Sequence, residues 1–348
     1  MGRKARIGLT RDLFDQEGKS ISLGPGPKLL DGVPELEWRR FPEYLPAVSP
    51  EQARGFDMVI TFAPKWTRDT LSRSGQLLSL HRGGVGYDMV DVPACTDAGV
   101  ALFIIPNAVR RPVATGILAF ILALGMRLVI KDRLTRAGKW EAGRQHCPGV
   151  GLTGKTLGSI GVGNIGHEML KLIKPFGMKY IAYDPYLKPG ALADLDVKLA
   201  DMDTVLRESD FLNISCPLNE KTRHLIGEKE LRKMKPTAFL MNTSRGPVVD
   251  EAALVRALRE GWIQGAGIDV FEQEPTPLDN PLFKLENVIV TPHSIALTDE
   301  FYTIMWEDIT RQIVQMMRGE KPATLVNPDV WDKPQFHSKL KKFHEAIA

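Results

Sequence analysis

The chain has 348 residues, of which 43% are hydrophobic and 25% are charged. This length fits two domains of ordinary size, and the composition is typical of a soluble globular protein. The net charge of +3 comes from 45 basic and 42 acidic residues, so the chain lacks the charge excess that attracts nucleic acid or an anionic membrane. We therefore expect neither of them as a partner.

Cysteine usage and the N-terminal segment both favour a cytoplasmic protein. Cys95, Cys147 and Cys216 lie far apart without a CxxC pair, which excludes a disulfide framework, suits a reducing compartment and predicts no metal site. The basic start leads into residues 7–10 without the apolar segment of a signal peptide. The longest apolar stretch, 112–126, is too short to span a bilayer, so we expect a buried helix there.

The first third of the chain alternates short apolar runs with helical patterns. Strands are predicted at 5–9, 57–62, 76–80 and 100–105, and runs of this kind are typical of a parallel sheet in an α/β domain. Residues 113–139 then form one long helical pattern whose first half is apolar nearly all round. Such a helix is buried on most sides, either between domains or in a dimer interface.

A second series of strands begins after Gly154. Strands are predicted at 156–161, 179–183, 211–215, 237–243, 265–268 and 287–290, with helical segments between the earlier ones. This alternation is the pattern of a doubly wound parallel sheet. One more helix is predicted at 301–317, and the charged residues 333–348 are predicted to be a C-terminal tail.

The first strand of the second series leads into a glycine loop of the form G-x-G-x-x-G. Gly161, Gly163 and Gly166 stand between an apolar strand and a helical pattern, the context in which this motif binds a dinucleotide. Gly161 permits the tight turn, Gly163 lets the backbone approach the pyrophosphate, and Gly166 allows the helix to pack closely on the strand. The alternative is that these are ordinary turn glycines.

The next strand ends in an acid, Asp184, 18 residues after Gly166. A carboxylate at this position accepts hydrogen bonds from the ribose hydroxyls and repels a 2′-phosphate. The loop and the acid together predict that the cofactor is NAD rather than NADP.

Polar residues also follow the other strands of the series. Open α/β sheets bind their ligands at the carboxyl ends of the strands, and the residues at these ends are Asp184, Cys216, Arg245, Asp269 and His293. A single polar residue after a strand is weak evidence for a functional site. An arginine, an aspartate and a histidine at the edge that carries the glycine loop indicate a reactive site.

These side chains suit the reduction of a 2-oxo acid. Arg245 can hold the substrate carboxylate and polarise the carbonyl through its planar guanidinium. His293 can supply a proton to the carbonyl oxygen, because histidine titrates near neutral pH. A carboxylate would stabilise the protonated imidazole, and both Glu272 and Glu274 lie in the preceding loop. Taken singly, Arg245 could be a surface ion pair and His293 an ordinary loop histidine.

With these residues the chain resembles the D-isomer-specific 2-hydroxyacid dehydrogenases, which include phosphoglycerate dehydrogenase and glyoxylate/hydroxypyruvate reductase. The resemblance spans nearly the whole chain and is strongest from 154 to 294. The matching segments are the glycine loop, 216–222, 242–250, 269–275, 291–293 and, in the first domain, 84–88.

The resemblance implies roles for individual residues. Arg245 would bind the substrate, His293 would be the acid/base, and Glu274, directly before a proline, would be its partner. The backbone N–H groups of Val85 and Gly86 would hold the substrate carboxylate. Contacts with NAD are expected from Gly161, Gly163, Asn164, Ile165, Gly166, Asp184, Cys216, Pro217, Thr222, Thr243, Ser244 and Asp269, the last with the nicotinamide amide.

The fold that the resemblance implies consists of two doubly wound α/β domains with the active site in their cleft. A Rossmann NAD-binding domain, 108–298, would be inserted in a flavodoxin-like substrate domain formed by 1–107 and 299–332, with 333–348 as the tail. The family also implies a homodimer formed through the helix at 113–139.

Several residues near the expected cleft leave the substrate open. The family's frequent histidine before Pro217 is Cys216 here, which could be a packing residue or a reactive thiol. Arg110 and Arg111 could favour a dianionic acid or form a solvated pair. Trp66 could cap the substrate or pack on the surface.

We therefore predict an NAD-dependent oxidoreductase that transfers a hydride between nicotinamide and a small 2-hydroxy or 2-oxo acid. The alternative is a dehydrogenase-like corepressor or redox sensor that binds NADH to control assembly. Such a protein could retain the same triad of arginine, glutamate and histidine.

Overall fold

A computed structural model of the protein describes residues 2–188 and 190–348. The chain divides into two compact units. The first comprises Met1–Val109 and Leu297–Ala348, and the second comprises Arg110–Ala296. Each unit is built around one parallel sheet, so we call them the five-stranded unit and the seven-stranded unit.

The strands of the described residues are short and are numbered in chain order. They are β1 (Ala5–Leu9), β2 (Leu36–Arg40), β3 (Met58–Thr61), β4 (Ser79–Arg82), β5 (Ala101–Phe103), β6 (Thr156–Ile160), β7 (Lys179–Tyr183), β8 (Val197–Leu199), β9 (Phe211–Ile214), β10 (Phe239–Asn242), β11 (Gly265–Ile268) and β12 (Val288–Val290).

The helices of the same residues are numbered in the same way. They are α1 (Lys28–Asp31), α2 (Pro50–Ala53), α3 (Arg68–Ser72), α4 (Val92–Ala98), α5 (Pro106–Gly125), α6 (Leu128–Arg136), α7 (Trp140–Gln145), α8 (Asn164–Ile173), α9 (Met202–Glu208), α10 (Glu228–Leu231), α11 (Glu251–Glu260), α12 (Asp299–Met317) and α13 (Pro334–Ile347). Short 3₁₀ turns lie between several of them.

The sheet of the five-stranded unit has the order β2-β1-β3-β4-β5, and all its pairings are parallel. This is the flavodoxin-like order. Its central strands β3 and β4 are almost entirely buried, as expected for a parallel sheet that is covered on both faces.

The sheet of the seven-stranded unit has the order β12-β11-β10-β9-β6-β7-β8, again with parallel pairings. The chain runs outward from β6 to β8 and then returns to β9 on the other side of β6. This is the Rossmann arrangement extended by one strand, and the loops after β6 and β9 meet where the order reverses. The two parallel sheets confirm the predicted fold class.

Two edge strands were not predicted from the sequence. β2 and β8 lie at the outer edges of their sheets, where β2 has one buried residue and β8 has none. They therefore lack the continuous apolar run that marks a central parallel strand. The strand predicted at 76–80 is displaced, because β4 begins at Ser79.

The single helix predicted at 113–139 is wrong. α5 ends at Gly125, and Arg127, with a φ of 53°, separates it from α6. By length and composition α5 is apolar enough to cross a membrane, but 61% of its most apolar window is buried inside the protein. A Cβ on Gly267 would lie 2.7 Å from the ring of Phe120, which shows how closely this helix packs on β11.

Two further features of the five-stranded unit differ from expectation. The segment 333–348 forms α13, whose side chains Phe336, Leu340 and Phe343 are buried, and it belongs to this unit. Trp66 neither caps a substrate nor packs on the surface. It is a core residue, and its Nε1 donates to Thr61 Oγ1 at 3.0 Å.

Candidate active site

The glycine loop follows β6 and has the shape that its glycines predict. Gly161 has a φ of 86°, and a Cβ there would lie 2.8 Å from the backbone nitrogen of Cys216. A Cβ on Gly166 would lie 3.1 Å from the Gly161 carbonyl oxygen, whereas a Cβ on Gly163 would meet nothing within 4 Å. A pyrophosphate can therefore approach the backbone at Gly163, where α8 begins with Asn164 and Ile165.

Asp184 is fixed beside this loop at the end of β7. Its carboxylate accepts one hydrogen bond from the Val162 N–H at 2.9 Å and another from the Tyr186 N–H at 3.0 Å. An ionised carboxylate has about four acceptor sites, so capacity remains for ribose hydroxyls. The residues present therefore fit a dinucleotide.

The loop after β9 holds Cys216, Pro217 and Thr222. Burial raises the pKa of the Cys216 thiol to about 11, and the charge of Asp184 adds to the effect. The thiol is therefore neutral at physiological pH, which favours packing over a reactive thiol. The Thr222 hydroxyl donates to the Pro217 carbonyl at 2.6 Å and accepts from the Asn219 N–H at 2.8 Å, so it closes this turn.

A buried asparagine shapes the loop that carries Arg245. Asn242, the last residue of β10, accepts from the Ser244 N–H and hydroxyl at 3.1 and 2.9 Å. Its amide donates to the Arg245 carbonyl at 3.0 Å, and Thr243 lies within the turn. Sequence reasoning missed this positioning role, although a polar residue that ends an apolar strand was a usable signal.

Gly246 packs the loop that carries Arg245 against the loop that contains Glu274. A Cβ on Gly246 would lie 1.9 Å from the carbonyl carbon and oxygen of Phe271 and 2.5 Å from the backbone nitrogen of Glu272. No side chain fits in that space, so the backbone after Arg245 lies directly against the loop that contains Glu274. This contact was also missed, because it joins segments that are distant in sequence.

Asp269 organises the loop that follows β12. Its buried Oδ1 accepts from the Thr291 hydroxyl at 2.6 Å and from the N–H groups of Ser294 and Ile295 at 2.9 and 3.1 Å. Burial raises the pKa of Asp269, and these hydrogen bonds oppose the rise. The Asp269 carbonyl also accepts from the His293 N–H at 2.7 Å, which holds His293 at a φ of 51°.

His293 and Glu274 form a close pair. The imidazole Nδ1 lies 2.7 Å from Glu274 Oε2, and Glu274 Oε1 accepts from the Phe271 N–H at 2.9 Å. Burial raises the pKa of Glu274, but the hydrogen bond with His293 and the charges of His293 and Arg245 outweigh it and leave the pKa below its usual range. Glu274 is therefore ionised at neutral pH and favours a protonated imidazole.

The other acid of this loop faces elsewhere. Glu272 Oε1 lies 2.8 Å from Nε2 of His224 and accepts from the Glu251 N–H at 3.2 Å. Residue chemistry alone left Glu272 and Glu274 as alternatives, and in the structure only Glu274 contacts the imidazole of His293 among the described residues.

The two arginines that precede the apolar part of α5 are ion-paired. Arg111 Nη1 lies 2.7 Å from Glu168 Oε1, and Arg110 Nε lies 3.9 Å from Glu168 Oε2. The hydrogen bond from Arg111 lowers the pKa of Glu168. Both guanidinium groups are half exposed and lie near a carboxylate of α8, a partner that neither the dianionic-acid hypothesis nor the solvated, dimer-facing alternative included.

The predicted substrate loop of the five-stranded unit follows β4. The Gly83 N–H donates to the Thr61 carbonyl at 2.9 Å, and the Gly84 carbonyl accepts from the Ile105 N–H at 3.1 Å. Within residues 2–188 and 190–348, the N–H groups of Val85 and Gly86 donate to no backbone carbonyl. Two adjacent backbone donors therefore stay available on a loop that is anchored just before them.

The glycine loop, the arginine and the hydrogen-bonded glutamate–histidine pair define a class of protein, the NAD-dependent dehydrogenases. The family model described as "D-isomer specific 2-hydroxyacid dehydrogenase, NAD binding domain" matches residues 118–294, about half of the chain. The chain belongs to the D-isomer-specific 2-hydroxyacid dehydrogenase family.

Individual relatives agree with this assignment. Glyoxylate reductase of Thermococcus litoralis is 40% identical over 312 residues, which cover 88% of this chain and 94% of that protein. D-3-phosphoglycerate dehydrogenase of Methanocaldococcus jannaschii is 38% identical over 271 residues, which cover 78% of this chain and 51% of that protein. The solved structure of D-lactate dehydrogenase from Aquifex aeolicus, complexed with NAD and lactic acid, matches with a TM-score of 0.81 and 27% identity over 92% of this chain and 99% of that chain.

The predicted oxidoreductase class and the predicted cofactor, NAD, are thereby confirmed. The corepressor alternative is not favoured, because these relatives are named as dehydrogenases or reductases.

Proposed function

We propose that this protein reduces glyoxylate, or a 2-oxo acid of similar size, with NADH. The observation that carries the proposal is the 2.7 Å contact between His293 Nδ1 and Glu274 Oε2 beside an arginine whose charge reaches the same carboxylate. The choice of glyoxylate rests on the 40% identical relative from Thermococcus litoralis, which is a glyoxylate reductase.

In this proposal Arg245 binds the substrate. Its planar guanidinium pairs with the carboxylate of the oxo acid and polarises the carbonyl group. Asn242 and Gly246 act as positioning residues, because they fix the turn on which Arg245 stands. We further propose that the N–H groups of Val85 and Gly86 hold the substrate carboxylate.

His293 moves the proton. NADH, when bound, supplies a hydride to the carbonyl carbon, and the imidazolium gives its proton to the carbonyl oxygen. Because Nδ1 faces Glu274, Nε2 is the nitrogen that donates to the substrate. In the opposite direction the neutral imidazole accepts the proton of the hydroxy acid, and ionised Glu274 stabilises the cation that forms.

The cofactor would be held by Gly161, Gly163 and the first turn of α8, with Asp184 toward the adenosine ribose and Asp269 toward the nicotinamide amide. The other proposed contacts are those of Asn164, Ile165, Gly166, Cys216, Pro217, Thr222, Thr243 and Ser244. Two backbone N–H groups orient the Asp184 carboxylate, so a 2′-phosphate would meet a fixed negative charge.

A panel of 2-oxo acids assayed with NADH and with NADPH tests the proposal. We expect the highest kcat/KM with glyoxylate or a similarly small acid and a preference for NADH. The variant Asp184→Ser should narrow that preference, because it removes the charge that repels the 2′-phosphate. Absence of turnover with every acid, under conditions where NADH binds, would overturn the proposal.

We also propose a homodimer that forms through the region 113–139 and works in the cytoplasm, without nucleic acid or membrane partners. Four large apolar side chains in or directly after this region, Met126, Leu128, Val129 and Trp140, are 44% to 63% exposed, and an interface would cover them. Leu128→Glu should yield monomers in light scattering, whereas the control Leu278→Glu, at an exposed site elsewhere, should not. A wild-type monomer would contradict the proposal.

We also propose a function for each domain. We propose that 108–298 bind the cofactor, that 1–107 and 299–332 bind the substrate, and that 333–348 extend the second of these domains.

A further inference from the structure

A cavity of about 470 Å³ lies in the seven-stranded unit, at the edge of the sheet opposite the glycine loop. Part of its lining, Lys155, Asp210, Thr237 and Gln264, comes just before β6, β9, β10 and β11. Residues that precede parallel strands share the amino edge of a sheet. A five-residue strand rises about 3.3 Å per residue, so this edge is roughly 15 Å from the carboxyl edge. The cavity is therefore separate from the candidate active site.

The other wall of the cavity is formed by Arg127 and by residues between 146 and 150, which lie on either side of a chain excursion. We call these two adjoining segments the neck of the excursion. Residues 128–145, which contain α6 and α7, form an excursion between Arg127 and His146 within the same compact unit, and both of these residues line the cavity. The neck is closed by the Val150 N–H, which donates to the Gly125 carbonyl at 2.7 Å. Gly149 packs on the same carbonyl, since a Cβ there would lie 3.0 Å from its oxygen.

The charges that line the cavity favour an anion. Arg127 and Lys155 are cationic, and His146 adds an imidazole. Asp210 is the acid of the lining, and its carboxylate is already engaged by the Thr156 N–H at 2.9 Å and by Lys235 Nζ at 3.0 Å. Burial raises the pKa of Asp210, but these contacts together with the charge of Lys155 leave it lowered. The negative charge of Asp210 is thus compensated by Lys235. The net charge of the cavity lining is then positive, because of Arg127 and Lys155.

Arg127 is held in place before any ligand arrives. Its φ of 53° is rare for a residue with a side chain, and such positions cluster at functional sites. The Gln264 side chain can be oriented so that both its amide oxygen and its amide nitrogen form hydrogen bonds. In that orientation the oxygen accepts from Arg127 Nη2 at 2.6 Å and the nitrogen donates to the Thr237 carbonyl at 3.1 Å. One edge of the guanidinium is thereby fixed, and its other donors remain for a ligand.

We propose that this cavity binds a small phosphate-bearing anion, independently of the active site. Arg127 and Lys155 would pair with the phosphate oxygens, and His146 would contact it from the returning side of the neck. A volume of about 470 Å³ is within the range of small-molecule pockets and leaves room for an organic group attached to the phosphate. The bound anion would tie both sides of the neck to the sheet and so stiffen the excursion.

The test is a titration of the full chain, saturated with NAD so that the glycine loop is occupied, with inorganic phosphate at constant ionic strength. Isothermal titration and thermal unfolding report binding. We expect a saturable rise in Tm in the wild type and roughly a tenfold or greater loss of affinity in Arg127→Gln and in Lys155→Gln, as expected for a lost charge-assisted hydrogen bond. A parallel titration with glycerol 3-phosphate shows whether a phosphomonoester binds more tightly than free phosphate.

The matched control is Arg144→Gln, which removes one positive charge from an exposed position of the same excursion. It should bind phosphate as the wild type does. Arg127→Gly relieves the backbone strain and tests the loss of the guanidinium if Arg127→Gln folds poorly. All these variants should keep the wild-type kcat/KM for the oxo acid. Absence of a saturable response in the wild type, or an equal response in every variant, would overturn the proposal.

Discussion

Two histidines in the two units show how differently the same side chain can be used. His81, on β4 of the five-stranded unit, is fully buried, with Nε2 3.0 Å from Ser79 Oγ and Nδ1 2.9 Å from Gln312 Oε1. Burial lowers the pKa of His81 to about 4, although the Gln312 hydrogen bond opposes this. His293, in the seven-stranded unit, has a side chain that is 41% exposed, and it faces a carboxylate.

The difference lies in the partner and in access to solvent. A hydroxyl and an amide orient an imidazole ring but do not compensate a positive charge, so burial keeps His81 neutral. A carboxylate stabilises the charged ring, and a ring that is partly exposed can exchange a proton with a ligand. We therefore expect His81 to support the fold and His293 to support the reaction, and substitutions should separate these effects.

The largest effect is expected at His293. His293→Gln removes the proposed proton donor and should lower kcat for oxo acid reduction by about 10²- to 10⁴-fold. The Kd for NADH, measured by fluorescence, and the Tm should change little, because the ring is partly exposed. A variant that retains wild-type kcat would show that His293 is not the acid.

The second-largest effect on kcat is expected at Glu274 and should be absent at Glu272, the other acid of the same loop. Glu274→Gln removes the charge that stabilises the imidazolium and should lower kcat roughly tenfold to a hundredfold.

The control for this effect is Glu272→Gln, since Glu272 contacts His224 rather than His293. It should leave kcat close to that of the wild type. An equal loss in the two variants would mean that the loop as a whole matters, rather than the Glu274–His293 contact.

A smaller effect is expected where the backbone joins the loops of Arg245 and Glu274. Gly246→Ala adds a methyl group to a space that Phe271 fills, and overpacking of this kind costs about 1–3 kcal/mol. Denaturant unfolding should report the loss, and KM for the oxo acid should rise as Arg245 shifts. Gly151→Ala, where a Cβ meets nothing within 4 Å, should be neutral, and equal stability of the two variants would contradict the tight contact.

A further effect concerns pH and His81, and it is confined to acid conditions. Because the folded pKa lies near 4 and the unfolded value near 6.5, the unfolded state binds more protons in this window. The stability that neutral His81 contributes is thus complete above pH 6.5 and is lost as the pH falls toward 4, with a slope of at most about 1.4 kcal/mol per pH unit.

His81→Gln should flatten this dependence in denaturant unfolding measured across the window. The exposed His337 of the same unit provides the control, since His337→Gln should keep the wild-type slope. An unchanged slope in His81→Gln would show that other groups cause the acid sensitivity.

The parts of the site that depend on local sequence were predictable. The glycine loop needs only the spacing of three glycines between a strand and a helix, and β7 and β11 have their predicted bounds. Central parallel strands are buried on both faces, so their sequences are continuous apolar runs.

The parts that depend on long-range contacts were not predictable. Glu272 and Glu274 differ by two positions in one loop, and only the packing of Gly246 on Phe271 and the bond to His293 set them apart. Trp66 was placed outside the core because its burial depends on packing that the local sequence does not show. Arg127 gave no helix-breaking signal, since arginine is a good helix former.

The hydrogen bonds of Asp269 have a consequence for the entropy of ligand binding. Thr291, Ser294 and Ile295 are all bonded to one carboxylate oxygen, so the segment that carries His293 is ordered when the chain folds. If His293 donates the proton as proposed, substrate meets a donor that is already ordered, and little conformational freedom is lost at each turnover. A preorganised donor of this kind lowers the barrier because no dipole has to be reoriented as the reaction proceeds.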